Sequence, residues 1–222
     1  MIYCIGDSHT SIFSGQDRIQ DAWPSRSNDV LPYFRTYRLG AFTAYNLKTK
    51  CHIIESVINQ INLDGSDKLL FSFGEIDIRY HVIRVANESN RTIMDVVYEC
   101  VDRYIDTIIS FKKYNTDILI WGPIASFNEN KIKEGEVHEG PEFPPWYGNN
   151  MERNQVTKIF NDNLKIKCEE HGLTFISIFE DMLTDKYETK EELLDDWWGS
   201  YIHLSSMALP IVLKKFTDMN LI

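Results

Sequence analysis

Apolar residues in this chain gather into short runs and longer stripes, and the two kinds alternate from end to end. Five short segments, 2–5, 34–38, 68–73, 117–121 and 174–177, read as β-strands. LLFSF and DILIW are apolar runs of strand length, the pattern of strands covered on both faces. Between the runs lie helical patterns. Residues 41–62 predict a helix and its approach loop, and 92–114 place Ile93, Val96, Val97, Val101, Tyr104, Ile105 and Ile108 on one stripe. The stretch 154–171 repeats this with Val156, Ile159, Phe160, Leu164 and Cys168, and Gly172 stands where a helix-ending glycine is expected. A last amphipathic helix is predicted over 206–219.

Strands alternating with helices of this length predict βαβ units, whose right-handed crossovers give a parallel sheet with helices on both faces. The expected fold class is α/β, a three-layer α/β/α sandwich around five parallel strands. No internal repeat and no low-complexity linker interrupts the pattern, so residues 1–222 read as a single domain. One long irregular stretch, 125–153, is rich in Gly and Pro and follows the fourth strand. It is expected to overhang the carboxyl ends of the strands, where open α/β sheets bind ligands.

Composition narrows the partners. With 222 residues, 43% hydrophobic and 25% charged, the chain has globular usage and the size to bury a substantial core without a disulfide or metal. Its formal charge of −10 repels phosphate backbones and anionic lipid, which argues against nucleic acid or a membrane surface as partner. A small anionic substrate held by a local arginine remains compatible with that field. No apolar run reaches the roughly 20 residues of a membrane span. The N-terminal MIYCIGDSHT reads as a first strand rather than a signal peptide. Cys4, Cys51, Cys100 and Cys168 are scattered, without a CxxC pair, and predict reduced thiols in a cytoplasmic protein. Oligomeric state is not legible.

Three polar clusters carry the candidate chemistry. Gly6-Asp7-Ser8-His9 follows the first strand, where Gly6 permits a sharp turn and Ser8 projects with a free N–H; a Ser/Asp helix cap is the other reading. In Gly74–His81, Glu75, Asp77, Arg79 and His81 alternate with apolar or aromatic residues, and an extended segment would put all four on one side. A metal set of Glu, Asp and His would have to outcompete the guanidinium in the same row, so neither metal nor cofactor is assigned. The third cluster, 195–205, holds Asp195, Asp196, Trp197, Trp198 and His203 just before the last helix.

GDS after the first strand, a glycine in the next block, Gly74-x-x-Asp77 after the third strand and His203 before the last helix together resemble the SGNH (GDSL-like) hydrolase superfamily. The resemblance runs from Ile5 to Ser205, and the βαβ order is similar to that family's flavodoxin-like sheet. More narrowly, GDSHT, LGAFTAYNL and FSFGEIDIR look like a branch of small SGNH-like proteins often linked to surface-glycan loci. The resemblance implies Ser8 as nucleophile, His203 as general base, and the N–H groups of Ser8 and Gly40 as oxyanion donors. Two positions depart from the family pattern. The third-block asparagine, an oxyanion donor, is Ile76, which leaves Arg79 or the long loop to replace it. The aspartate three residues before the histidine is Ser200, which leaves Asp195, Asp196, a backbone carbonyl or Ser200 itself to orient His203.

The leading functional expectation is a serine-dependent O-deacylase or acyltransferase acting on a carbohydrate ester. Asp7, His9, Glu75, Asp77, Arg79, His81, Trp146, Tyr147, Arg153, Trp197 and Trp198 are its candidate substrate contacts. One alternative is a non-hydrolytic glycan- or ligand-binding protein on the same scaffold. Another is a sugar transferase with Glu75 or Asp77 as base and Arg79 and Arg153 compensating phosphate charge.

Overall fold

The structure, a computed structural model, describes residues 1–131, 146–195 and 201–222. Five strands form one sheet: β1 (Ile2–Gly6), β2 (Phe34–Arg38), β3 (Lys68–Ser72), β4 (Asp117–Trp121) and β5 (Thr174–Ile176). Their spatial order is β2-β1-β3-β4-β5 and every pairing is parallel. This is the flavodoxin-like order, in which the direction of winding reverses between β1 and β3 and opens a crevice at their carboxyl ends. Each predicted strand is present to within a residue or so at its ends.

Successive side chains of a strand point to opposite faces, and here both faces are apolar. Ile5, Leu69, Phe71, Ile118 and Ile120 pack with α1 (Cys51–Gln60), α3 (Ile93–Ile109) and α4 (Asn150–Glu170). Ile2, Cys4, Leu70, Leu119 and Trp121 pack with a 3-10 helix, Ser8–Ser14, and with α5 (Leu209–Asp218). These two cores make the three layers. In the second, Phe13 meets Trp121 edge to face at 5.1 Å, and Phe34 meets Phe216 at 5.1 Å. Such pairs each add about 0.5–1.5 kcal/mol beyond burial. Phe13 thereby seats the helix that begins with Ser8.

The helices start where capping chemistry permits. Thr92 accepts from the Asp95 N–H at the head of α3, and Asn149 with Glu152 forms a reciprocal capping box at the head of α4. That box starts α4 at Asn150, four residues before the predicted start, so the end of the expected 125–153 loop is helical. Gly172, at φ +60°, follows the end of α4 as expected.

The largest local departure follows β3. Gly74 adopts φ +117°, and the chain enters a π-helical turn, Asp77–Val82, that continues into α2 (Ile83–Ser89). The alternation of Glu75, Asp77, Arg79 and His81 is therefore not a strand extension, and the four side chains do not share a face. No helix among the described residues is long and apolar enough to cross a membrane.

Candidate active site

At the end of β1 the chain turns at once. The Asp7 N–H donates to the Ser72 carbonyl at 3.2 Å, drawing the ends of β1 and β3 together. A Cβ at position 6 would lie 2.2 Å from Thr10 Oγ1 and 2.3 Å from that carbonyl oxygen, so only glycine fits. Asp7, not Ser8, caps the helix, accepting from the His9 N–H at 2.9 Å. Ser8 occupies the first helical position, where the backbone N–H has no intrahelical acceptor. Its hydroxyl stands at the mouth of the crevice. Beside it, the Leu39 N–H donates to the Gly6 carbonyl at 2.8 Å, which leads Gly40 (φ +94°, with open space around it) past this turn.

His203 arrives from the far end of the sequence. Its segment pairs with 193–195 through an antiparallel Leu194–Leu204 bridge and an Asp195 N–H to His203 carbonyl bond of 2.8 Å. Tyr201, two residues earlier, is held at φ +47°, in the left-handed region that non-glycine residues rarely adopt. His203 Nε2 then lies 2.8 Å from Ser8 Oγ. Burial pushes the His203 pKa well below its usual value, and the positive charges of His9, Arg79 and Arg38 push it the same way. A neutral ring with its proton on Nδ1 accepts the serine hydroxyl at Nε2. Nδ1 itself is buried and has no hydrogen-bond partner among the described residues. Asp195 is tied to His203 through backbone; Asp196 and Ser200 lie outside the described residues.

The His9 ring lies beside His203, tilted, with centroids 4.7 Å apart and planes at 34°. Its Nδ1 is 3.0 Å from Asp7 Oδ1, and its Nε2 is 3.1 Å from the Ile202 carbonyl and 3.8 Å from Glu75 Oε2. Burial disfavours the His9 cation, but the charges of Glu75 and Asp7 and the Asp7 hydrogen bond outweigh it and raise the pKa to about 9. Glu75 also accepts from Arg79 Nε at 2.8 Å, four residues on. Asp7, His9, Glu75 and Arg79 thus form one charged string beside the serine and histidine.

Other predicted contacts sit elsewhere. Asp77 is 1% exposed, and its oxygens accept from the Ala44 and Tyr45 N–H groups at 2.7 and 3.1 Å, fixing the turn that follows Gly40. Burial, only partly offset by those bonds, raises its pKa to about 6. His81 bonds Arg84 and, with Asp77, lines a cavity of about 260 Å³ whose lining includes neither Ser8 nor His203. Arg153 is fully buried and spends its donors on Ser126 Oγ, the Gly148 and Phe127 carbonyls and Glu129, with its plane over the Phe127 ring. Asp77 and Arg153 are thus both bonded within the chain, by contacts that cannot be seen in sequence. Half-buried Trp146 packs on Phe127, and Tyr147 packs on Tyr80 while its N–H donates to the Arg79 carbonyl. Trp197 and Trp198 lie outside the described residues. Ile76, half-buried, brings no donor to the asparagine position. The Ile202 carbonyl was not anticipated at all; 193 residues separate it from His9, and no local pattern signals such a bond.

No protein-family model and no curated protein matches the chain in sequence. Solved structures do match over almost its whole length. An extracellular lipase from Streptomyces rimosus superposes with a TM-score of 0.56 at 10% identity, covering 96% of this chain and 98% of its own. Phospholipase A1 from Streptomyces albidoflavus gives 0.54 at 12% identity, over 96% and 98%. A carbohydrate acetylesterase from Sinorhizobium meliloti gives 0.52 at 13% identity, over 98% of each. At these identities the likeness is one of fold.

Proposed function

From the SGNH-hydrolase fold that the chain shares with these enzymes, we propose that it is a serine-dependent ester hydrolase or acyltransferase whose substrate is an acylated carbohydrate. The observation that carries the reading is the 2.8 Å approach of His203 Nε2 to Ser8 Oγ at the crevice between β1 and β3. A serine hydroxyl is a weak nucleophile unless an adjacent base takes its proton, and a neutral imidazole is that base. As Ser8 Oγ attacks the ester carbonyl, its proton passes to His203 Nε2. The oxyanion receives the N–H groups of Ser8 and Gly40, a kind of donor worth about 3 kcal/mol each. Collapse expels the sugar hydroxyl with the proton from His203, leaving an acyl-serine. Water or a second sugar hydroxyl then releases the acyl group by the reverse proton path.

The carbohydrate assignment draws on the acetylesterase among the fold neighbours. Hydrolysis of p-nitrophenyl acetate and covalent labelling by a fluorophosphonate test the reading, with both expected to vanish in Ser8→Ala. A native chain that neither hydrolyses nor labels overturns it. A His203 Nδ1 without a partner among the described residues and the isoleucine at position 76 favour a second reading, a binding protein that does no chemistry. Glycan-array binding undiminished in Ser8→Ala, with no turnover by the native chain, would support that one.

A further inference from the structure

The string around His9 has a property that hydrogen-bond counting alone exposes. Nδ1 faces a carboxylate oxygen of Asp7 and Nε2 faces the Ile202 carbonyl, both within hydrogen-bond distance. A carboxylate and a carbonyl only accept, and a neutral imidazole has one N–H, so either tautomer would aim a lone pair at an acceptor about 3 Å away. Only the doubly protonated ring satisfies both contacts. Asp7 and Glu75 supply the counter-charge, and Arg79 takes up the other oxygen of Glu75.

We propose that His9, as an imidazolium clamped between Asp7 and the Ile202 carbonyl, is the positioning residue for the general base, fixing the backbone of His203 over Ser8 and presenting a positive charge to its ring. The proposal rests on the reading of Ser8 and His203 as nucleophile and base. It assigns to His9 the orienting task that no partner of His203 Nδ1 takes up among the described residues. An acid bonded to Nδ1 would orient the base through its own ring; here orientation comes through the peptide just before it. The electrostatic effect is also opposite. An acid makes the base more basic, whereas an adjacent cation keeps it unprotonated in mildly acidic solution.

The charged and titratable groups facing these two rings are few. His9 meets Asp7 of its own helix, Glu75 and Arg79 from the segment after β3, and His203. His203 meets His9, Arg79 and Arg38 of β2, and a shallow hollow beside both rings is also lined by Asp195 and Arg18.

Imidazole ¹⁵N NMR of the full chain, alongside kcat and KM for p-nitrophenyl acetate from pH 5 to pH 10, tests the proposal. In the native protein His9 is expected to be doubly protonated through pH 8 and to titrate near 9, with kcat falling over the same range. In His9→Gln, which removes the charge and the ring, kcat should drop about 10- to 100-fold with little change in KM, as small misplacements of a reacting group do. The acid limb should also move to higher pH. In His9→Lys, which keeps a charge but loses the planar ring bridging Asp7 and the Ile202 carbonyl, kcat should drop while the acid limb stays low. A singly protonated His9 at pH 7, or a His9→Gln protein with native kcat and acid limb, overturns the proposal. If the native chain neither hydrolyses nor labels, while His9 titrates near 9 and the His203 resonance shifts its titration upward in His9→Gln, the esterase reading fails and the hold of His9 on His203 stands.

Discussion

Among the described residues, Arg153 and His9 are the buried basic side chains, and they are spent differently. Arg153, in α4, meets a hydroxyl, two carbonyls, one carboxylate and an aromatic face, all belonging to the chain it holds in place. Its charge is consumed by the segments around Phe127 and Gly148. His9 meets two carboxylates and one carbonyl, and its remaining face lies against a neutral imidazole that in turn touches a serine. Burial and pairing are alike at the two sites; what differs is whether the charge ends on scaffold or faces a group able to react.

Arg153→Met puts most strain on that contrast. Removing one partner of a buried pair leaves Glu129 and two carbonyls unmatched, and unfolding in urea should show a loss of about 3 kcal/mol. The acid limb of the folded fraction should not move, and if it moves the two cations are not separable. The His9 side of the contrast appears in stability against pH. Its folded pKa is raised from 6.5 to about 9, so the stabilisation is fully present below 6.5 and is lost as pH rises through about 9. That difference corresponds to roughly 3 kcal/mol, measurable by unfolding at pH 6 and pH 9.5, and the slope should vanish in His9→Gln.

Gly6→Ala tests the turn on which His9 is carried. A methyl driven against the Ser72 carbonyl should cost about 1–3 kcal/mol in thermal or urea unfolding. Asp77 provides a buried carboxyl outside either cation's reach. Its pKa is raised from 3.8 to about 6, so its contribution is present below 3.8 and lost as pH rises through about 6. Asp77→Asn should flatten stability over that window while shifting its value at pH 7 by about 1 kcal/mol. The smallest effect belongs to exposed pairs. Lys214→Ala, which breaks the i,i+4 contact with Asp218, should change stability by about 0.5 kcal/mol or less.

The sheet was legible because parallel strands covered on both faces must be apolar on alternate and intervening residues alike, as Leu69, Leu70 and Phe71 are. The π-helical turn after Gly74 was not. Period-two alternation of charges dominated the reading, although Glu75 and Arg79 at i,i+4 and Ile78, Val82, Ile83 and Ala86 at helical spacing carried the competing signal. Ser8 and His203 come forward only through the resemblance of their blocks taken together, since alone they read as a helix cap and a structural histidine. The jobs of Asp77 and Arg153 could not be read, since a carboxylate closing a turn 33 residues away and a guanidinium filling a core look the same in sequence as surface charges. In sequence His9 is one more candidate substrate contact; its bond to the Ile202 carbonyl needs the fold to be seen.

The pairing of the His203 segment with 193–195 has its own consequence. These bonds lie outside the five-stranded sheet, so residues 193–195 and 201–205 and the sheet need not open together. Proteins open in cooperative pieces of unequal stability, and pieces with few sheet contacts open first. On this account the serine opens with the sheet and its histidine with a piece outside it. Amide exchange should therefore be faster at Asp195 and Ser205 than at Cys4 or Leu70, and mild denaturant should separate the two residues while the sheet is still intact.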